Sequence, residues 1–370
     1  MKTLSKILLI AFAMMATVSA QSSSDIQARR QTEKVDLFVR EKMKSKNIPG
    51  LSLAVVRDGK IILAKGYGMA NLELNVPATK KTNYSIASIT KTFTALATMM
   101  LVETGKISLE DPISKHFSNL PAAWNAVTVR QLLNHTSGIS SFTTHEKIPC
   151  PVGKDVRDYN QTDVLKEVAC LPLDFAPGER WLYGDTGYYL LGMLIEKVSG
   201  KTYEQFLRER MFTPLRMSDT RLISYTELIP NRADGYNFQN GSFRHATRFE
   251  INEFSNAGLV STVLDMAKLD AALYTEKLLK RATLNQMWTS AKLNNGEIVA
   301  SYGLGFGLTP YQGRRRVGHS GGGGLGFATA FTRFVDDKVT VIVLSNADQE
   351  GFTISEMANE IAAFYFPQSK

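Results

Sequence analysis

The sequence predicts a mixed α/β fold (α+β), in which one antiparallel sheet is built from both ends of the chain and flanked by helices. Residues 48–70 have the pattern of a β-hairpin, residues 316–344 contain three further strands, and the segment between them is mostly helical. Neither end has enough strands to close a core alone, so the two ends are expected to pair. The helical segment is then an inserted subdomain beside the sheet.

The hairpin is the clearest element. An apolar run over residues 51–56 leads to Asp58-Gly59, a frequent turn pair in hairpins, and residues 61–64 return. Before it, residues 31–46 form an amphipathic pattern with apolar side chains on one helical face, which are Val35, Phe38, Val39 and Met43.

The remaining elements follow from periodicity and composition. Six helices are expected in the middle of the chain, over residues 88–104, 128–134, 162–168, 186–198, 203–210 and 263–276. Three β-branched and aromatic stretches predict strands over residues 316–319, 327–334 and 339–344, with a turn at Asp336-Asp337 between the last two. A final helix is expected over 354–364. Residues 140–175 and 225–255 are expected to be loops at the mouth of a cleft.

Composition and charge exclude several classes of protein. The 370 residues are 44% apolar and 21% charged, which excludes disorder, collagen and coiled coil. The basic residues are scattered except for Arg314–Arg316, where no aromatic side chains interleave, so nucleic-acid binding is not supported. None of the five histidines forms H-E-x-x-H, and no other metal-site or Walker A pattern occurs, so neither a metal nor a cofactor is expected.

Residues 1–20 predict a secretory signal peptide. Lys2 and Lys6 precede an apolar stretch over residues 7–18, and Val18-Ser19-Ala20 resembles a cleavage site. Cleavage before Gln21 would remove the two lysines, lowering the formal charge from +8 to +6. A periplasmic or secreted protein without a membrane span is therefore expected. The alternative is an uncleaved anchor.

The chain contains two cysteines, Cys150 and Cys170. An even number in an exported protein favours a disulfide, and two free buried thiols are the alternative.

A serine nucleophile has two candidates. Ser88-Ile89-Thr90-Lys91 is an S-x-x-K at the start of a predicted helix, where the two side chains share one face and the lysine could accept the serine proton if burial lowered its pKa. The alternative is that Ser88 only caps the helix. Ser320 lies in a formal G-x-S-x-G, but a strand follows it, whereas a nucleophile elbow requires a helix. The same objection excludes a dinucleotide site at residues 321–326.

Two further elements accompany the S-x-x-K. Tyr183-Gly184-Asp185 precedes the helix predicted over 186–198, where Asp185 could also serve only as a cap. His319-Ser320-Gly321 ends one predicted strand and leads to the next.

Together the three elements resemble those of the serine β-lactamase and penicillin-binding-protein superfamily, especially its branch of class C β-lactamases, D,D-carboxypeptidases and family VIII esterases. They stand at its S-x-x-K, Y-x-N and K-T-G motifs. Residues 132–138, 177–179 and 257–262 also look like this branch, and the resemblance runs from about residue 30 to 366. It implies a β-lactamase/transpeptidase-like catalytic domain over residues 21–370. The sheet subdomain would cover about 30–87 and 277–366, and the helical subdomain about 88–276.

The resemblance also implies roles for single residues. Ser88 would be the acylated nucleophile, and Lys91 and Tyr183 would share the general acid and base work. The backbone N–H groups of Ser88 and Gly322 would form the oxyanion hole. The substrate-binding positions would be Asp185, His319, Ser320 and Gly321, with His319 facing the substrate's carboxylate end.

Two departures from the family pattern bear on activity. Asp185 replaces the usual Asn; it can only accept hydrogen bonds, and its charge favours protonation of Lys91. His319 replaces the usual Lys and attracts a carboxylate less when neutral. The expected function is an exported serine hydrolase, either an esterase or a D-amino-acid peptidase of D,D-carboxypeptidase type, with weak or no β-lactamase activity. Its substrates would be small esters or peptides, including peptidoglycan-derived ones. The alternative is a catalytically silent relative that binds cell-wall peptides or a partner protein.

Overall fold

The structure is a computed structural model that describes residues 26–144, 160–224, 226–246, 253–322, 326–348 and 353–367. The chain divides into two compact units, residues 1–46 and 47–370. In the first unit, a helix α1 spans residues 26–45, and its Val35 and Val39 are fully buried. The predicted amphipathic helix is therefore present and begins five residues earlier than expected.

The second unit contains thirteen strands within the described ranges. In chain order they are β1 (Gly50–Arg57), β2 (Lys60–Asn71), β3 (Val76–Pro77), β4 (Tyr84–Ser85), β5 (Arg221–Leu222), β6 (Tyr236–Gln239), β7 (Ser242–His245), β8 (Leu259–Ser261), β9 (Ala291–Lys292), β10 (Ile298–Val299), β11 (Arg316–Gly321), β12 (Ala328–Phe334) and β13 (Val339–Ser345).

The principal sheet confirms the pairing of the two chain ends. Its six strands are antiparallel in the order β11-β12-β13-β1-β2-β3. Strand β1 pairs with β13 in a register that runs from Leu51↔Ser345 to Arg57↔Val339. Every residue of β12 and β13 is buried, as expected for central strands that are covered on both faces. The β1–β2 turn has left-handed Asp58 and Gly59, which is the conformation that a two-residue hairpin turn requires.

Most helices of this unit come from the part of the sequence between the first and the last strands of the principal sheet. They are α2 (Thr90–Glu103), α3 (Val129–Leu133), α4 (Gln161–Lys166), α5 (Thr186–Ser199), α6 (Tyr203–Leu207), α7 (Thr213–Leu215), α8 (Val263–Ala272), α9 (Arg281–Met287) and α10 (Ile354–Ala363). A π-helical turn at Arg208–Phe212 joins α6 to α7. Helix α2 is buried on all sides over its first twelve residues, from Thr90 to Leu101. None of the helices in the described ranges is long and apolar enough to cross a lipid bilayer.

Some elements differ from the sequence-based expectation. Part of the region expected to be a loop over 225–255 is a hairpin, β6–β7, whose Asn240 and Gly241 both have positive φ. Asn-Gly is a strong signal for this turn, so the expectation of a loop was wrong there. Strands β4, β8 and β5 form a second small sheet, and α9 was not predicted. These elements are only two to seven residues long, which is too short for a periodicity to be recognised.

Candidate active site

Ser88 lies in a single 3-10 turn, Ala87–Ile89, that leads into α2. The turn is held by the small sheet and by the principal sheet, because Ile86 N donates to Leu259 O and Thr329 Oγ1 donates to Ile86 O, both at 3.0 Å. Ala87 has a φ of 44°, an uncommon conformation for a residue with a Cβ that is typical of functional sites. No side chain caps α2, so the interpretation of Ser88 as only a helix cap is wrong.

Lys91 points from the first turn of α2 toward Ser88 and is fully buried. Its Nζ donates to Ser88 Oγ at 3.1 Å, to Asp185 Oδ1 at 2.6 Å and to the carbonyl oxygen of Asn256 at 3.0 Å. These three acceptors use all three protons of an ammonium group. Burial lowers the pKa of Lys91 and is the largest single influence, but the charge and hydrogen bond of Asp185 together with the contribution of Tyr183 outweigh it, so the pKa is raised overall. Lys91 is therefore an ammonium in the resting site.

Asp185 immediately precedes α5 but does not cap it with its side chain, so the interpretation as a cap is wrong. Its carboxylate instead faces Lys91, which also contacts Ser88. Oδ1 receives the bond from Lys91 and a longer one of 3.4 Å from Asn256 Nδ2, and Oδ2 receives a bond of 2.7 Å from Thr143 Oγ1. Burial raises the pKa of Asp185, but Lys91 and the hydrogen bonds lower it more, so that Asp185 is ionised beside Lys91.

Tyr183 lies on the other side of Lys91, whose Nζ is 4.8 Å from the centre of the ring. The buried Tyr183 hydroxyl makes no hydrogen bond of ordinary geometry with any described residue. Burial raises its pKa, while the nearby Lys91 and Ser88 act in the opposite direction, and the net pKa is above its usual value. Tyr183 is thus a neutral phenol with an unused donor and acceptor beside Lys91 and Ser88.

His319 lies in β11, and its hydrogen bonds fix its tautomer. Nδ1 is 2.6 Å from the carbonyl oxygen of Ser320, which can only accept, so the proton is on Nδ1. Nε2 is then an acceptor and receives the hydroxyl proton of Tyr302 at 2.9 Å. Burial and the charge of Lys91 lower the pKa of His319 to about 4. The residue at the K-T-G position is therefore neutral near pH 7.

Two residues of the site were not identified as functional from the sequence, His135 and Tyr302. The His135 ring lies 4.4 Å from the ring of Tyr183 and 4.8 Å from that of Tyr302. Its Nδ1 accepts a bond from Gly184 N at 3.3 Å, and burial holds its pKa well below the usual range. Both residues thus support the Tyr183 ring as neutral groups. His135 lies within residues 132–138, a stretch that resembles the family but predicts no role for this histidine, and Tyr302 has no signal in the sequence except its glycine neighbours.

The end of β11 reaches the Ser88 turn closely. A Cβ added at Gly321 would lie 2.3 Å from the Ile86 carbonyl oxygen and 3.0 Å from the Ala87 Cβ. Only glycine permits this approach. Ser320 lies within this strand and is followed by β12, so the strand–turn–helix geometry of a nucleophile elbow is absent there.

One cavity of about 420 Å³ collects most of the predicted site residues. Ser88, Tyr183, His319, Ser320 and Gly322 line it, together with side chains that were not predicted, which are Trp181, Ser301, Tyr302, Thr309, Arg316, Phe331, Thr332 and Ser355. Lys91 and Asp185 lie behind Ser88 and connect to it by hydrogen bonds. Within the described ranges, no group of three or more His, Cys, Asp or Glu side chains could hold a metal ion.

The structure describes only one of the two cysteines of the predicted disulfide. Cys170 is disulfide-bonded. Cys150 lies outside the described residues, and so does the predicted signal peptide, so the Cys150–Cys170 pairing and the export of the chain stay predictions.

Comparison with known proteins agrees with this geometry. The Beta-lactamase family model matches residues 35–364. Penicillin-binding protein 4* of Bacillus subtilis (strain 168) is 32% identical over 313 residues, covering 79% of this chain and 67% of that protein.

Solved structures show the same fold. The octameric penicillin-binding protein homologue from Pyrococcus abyssi superposes with a TM-score of 0.76 and 33% identity, over 90% of this chain and 77% of that one. The D-amino acid amidase from Ochrobactrum anthropi SV3, complexed with L-phenylalanine amide, gives a TM-score of 0.76 and 25% identity, over 91% and 98%. The family match and the shared β-lactamase/transpeptidase-like fold assign this chain to the Beta-lactamase family as a serine hydrolase of its penicillin-binding-protein-like branch.

Proposed function

We propose that the protein is an exported serine hydrolase that cleaves small esters or amides, including D-amino-acid derivatives, through an acyl-enzyme on Ser88. The observation that carries this proposal is the buried chain of contacts from Ser88 through Lys91 to Asp185, with the unpartnered hydroxyl of Tyr183 beside it in the same cavity. A neutral serine becomes a nucleophile only if a neighbour takes its proton, and these are the groups within reach.

In the proposed acylation step, Ser88 Oγ attacks the substrate carbonyl carbon and the bond to the leaving group breaks. Lys91 is already protonated, so it does not receive the Ser88 proton in the resting state. Tyr183 accepts that proton on its hydroxyl oxygen and gives its own proton to the leaving group, and so it ends the step as a neutral phenol. The Lys91 ammonium stabilises the negative charge that develops on Ser88 Oγ during the transfer.

The developing oxyanion needs donors that are fixed in advance. We assign this role to the backbone N–H groups of Ser88 and Gly322, which both line the cavity. The contact of Gly321 with the Ser88 turn supports the assignment, because it sets the spacing between the two segments. Deacylation uses the same groups in the reverse direction: water attacks the acyl carbon, Tyr183 accepts a proton of the water and gives its own proton to Ser88 Oγ, and the ester bond to Ser88 breaks.

The charges near Ser88 favour substrates that are neutral next to the reacting carbonyl. His319 is neutral at the position where an ammonium would attract the carboxylate of a β-lactam, and the charge of Lys91 is already neutralised by Asp185. We therefore expect turnover of esters and D-amino-acid amides, and weak or no hydrolysis of β-lactams. The amidase among the similar structures, described with a phenylalanine amide, supports this choice of substrates.

A catalytically silent protein that binds cell-wall peptides or a partner is the second candidate. The observation that favours it is the ion pair of Lys91 with Asp185, because it removes the lysine as a base. The two candidates are separated by a panel of p-nitrophenyl esters, D-phenylalanine amide, D-Ala-D-Ala peptides and nitrocefin. Turnover of an ester or amide supports the hydrolase, whereas binding of D-Ala-D-Ala peptides with no turnover and no acylation supports the silent protein.

Export is proposed on the pattern of residues 1–20 alone. The intact mass of the protein from its native envelope fraction tests it. A chain that begins at Gln21 is expected, and a full-length chain would contradict cleavage.

A further inference from the structure

Arg316 lines the same cavity as Ser88 but takes no part in the proposed acylation chemistry. It is half-buried at the start of β11, and Nη1 donates to the neutral Asn359 Oδ1 at 3.2 Å. Within the described ranges no carboxylate forms an ion pair with it. Burial accordingly lowers the pKa of Arg316, and no neighbouring charge opposes that shift.

The neighbouring arginines behave differently. Arg314 pairs with Asp337 and lies over the ring of Phe366, while Arg315 is exposed and lies 6.0 Å from the ring of Trp288. Of the three consecutive arginines, only Arg316 faces the cavity. The basic run that the sequence showed therefore contains two surface residues and one residue of the site.

An arginine held in this way lacks a counter-charge. Its guanidinium offers five donors, and a partly desolvated cation is more favourable when a carboxylate pairs with it. Asn359 accepts only one of these bonds in the structure. The remaining donors are available to an anionic group in the cavity.

Strand β11 separates the backbone of Arg316 from the end of the strand that lies beside Ser88. Arg316, Gly318 and Ser320 are alternate residues of β11 that all line the cavity. Four residues of antiparallel strand span about 13 Å between the Cα atoms of Arg316 and Ser320. With the Arg316 guanidinium held at Asn359, we expect its carboxylate partner to be separated from the scissile bond by several atoms.

We infer that Arg316 is a specificity-determining residue that binds a carboxylate at the remote end of the substrate's acyl group. This inference rests on the proposed function. The substrate class that it defines is an ester or amide whose reacting carbonyl and distal carboxylate are separated by a flexible linker. A monoanion of this kind would lie along β11, with its neutral end at Ser88.

A length series of substrates tests the inference. p-Nitrophenyl monoesters of α,ω-dicarboxylic acids from adipate to sebacate are compared with their ω-methyl esters, and the readout is the ratio of kcat/KM for acid over methyl ester at each length. The ratio is expected to exceed one and to rise toward the longer acids. In Arg316→Gln it should fall at least about tenfold, since the charge-assisted hydrogen bonds of the guanidinium to the carboxylate are lost.

Two further variants make the test specific. Arg315→Gln, one position away and outside the cavity, should keep the wild-type ratio. Arg316→Lys should keep part of it, because the charge stays and the two-pronged geometry is lost; this variant also serves if Arg316→Gln does not fold. A ratio near one at every length in the wild type, or a ratio that Arg316→Gln leaves unchanged, would overturn the inference while turnover of the methyl esters still supports the hydrolase. Absence of turnover with every ester would instead overturn the proposed function.

Discussion

Replacing Asp185 by Asn should change the protonation state of Lys91 and with it the pH dependence of acylation. The exchange keeps the size of the side chain and removes its charge. In the wild type, the pKa of Lys91 is raised and that of Asp185 lowered, while His319 titrates near 4. None of these groups changes its charge between about pH 5 and 7, so we expect an acylation rate that is flat across this range.

The size of the effect follows from the geometry. Lys91 Nζ and Asp185 Oδ1 are 2.6 Å apart, and two unit charges at this distance attract by about 6 kcal/mol at an effective dielectric constant of 20. In Asp185→Asn this attraction is lost, and burial, the largest influence on the pKa of Lys91, is then opposed only by the smaller contribution of Tyr183. Full burial lowers the pKa of lysines by up to about 3–5 units in documented cases. Lys91 should then lose its proton within the assay range and become able to accept the proton of Ser88.

The assay is the pre-steady-state burst of p-nitrophenol from a neutral ester, followed between about pH 5 and 9 at the isosbestic wavelength of the product. The variant should show a new limb that rises about tenfold per pH unit and then levels off. Thr143→Val is the matched control, because it removes a hydrogen bond of 2.7 Å to Asp185 without altering charge; its profile should match that of the wild type, flat between about pH 5 and 7. If folded Asp185→Asn has the same flat profile as the wild type, Asp185 does not set the charge of Lys91.

Three further predictions concern single residues. Tyr183→Phe removes only the hydroxyl and should lower the acylation rate at least about 100-fold in stopped-flow measurements; an unchanged rate would show that the Tyr183 hydroxyl takes no part in the proton transfer. Gly321→Ala places a Cβ 2.3 Å from the Ile86 carbonyl oxygen and should lower kcat at least about tenfold while circular dichroism is unchanged, whereas full activity would show that the approach of β11 to Ser88 is not needed. Burial raises the pKa of Glu253 from 4.5 to about 8, so the folded state holds this proton more tightly than the unfolded state. The contribution of the neutral carboxyl to the free energy of unfolding is therefore fully present below about pH 4.5 and is lost as pH rises through 8. Glu253→Gln should therefore show a smaller fall in Tm between about pH 5 and 9, and parallel Tm curves would contradict this.

The sequence was most informative where local pattern and chemistry coincide. The six-stranded sheet could be predicted because neither chain end carries enough strands to close alone, a global argument that needs no knowledge of register. The β6–β7 hairpin was missed although Asn240-Gly241 marks it, because the surrounding residues are polar and lack a clear alternation. The small sheet of β4, β8 and β5 could not be predicted, since its strands are two or three residues long and are defined by pairing alone.

The site shows a similar division. The S-x-x-K spacing indicated Ser88 and Lys91, because side chains three apart share one face of a helix. The roles of Tyr183 and Asp185 came from the family resemblance, since their local pattern also fits a helix cap. Tyr302 reaches His319 only through the tertiary fold. The balance at Lys91 between burial and the charge of Asp185 depends on a contact between residues 94 positions apart. A sequence can suggest such a contact, but the distance between the two groups and their burial decide whether the pKa of Lys91 rises or falls.

The measurement that tests the central claim most directly is mass spectrometry of the protein after reaction with a fluorophosphonate or an activated ester. We predict one covalent adduct, on the peptide that contains Ser88, in the wild type and in Ser320→Ala. The adduct should be absent from a folded Ser88→Ala protein. An adduct on Ser320, or a folded wild type that forms none with any probe while it turns over esters, would contradict an acyl-enzyme on Ser88.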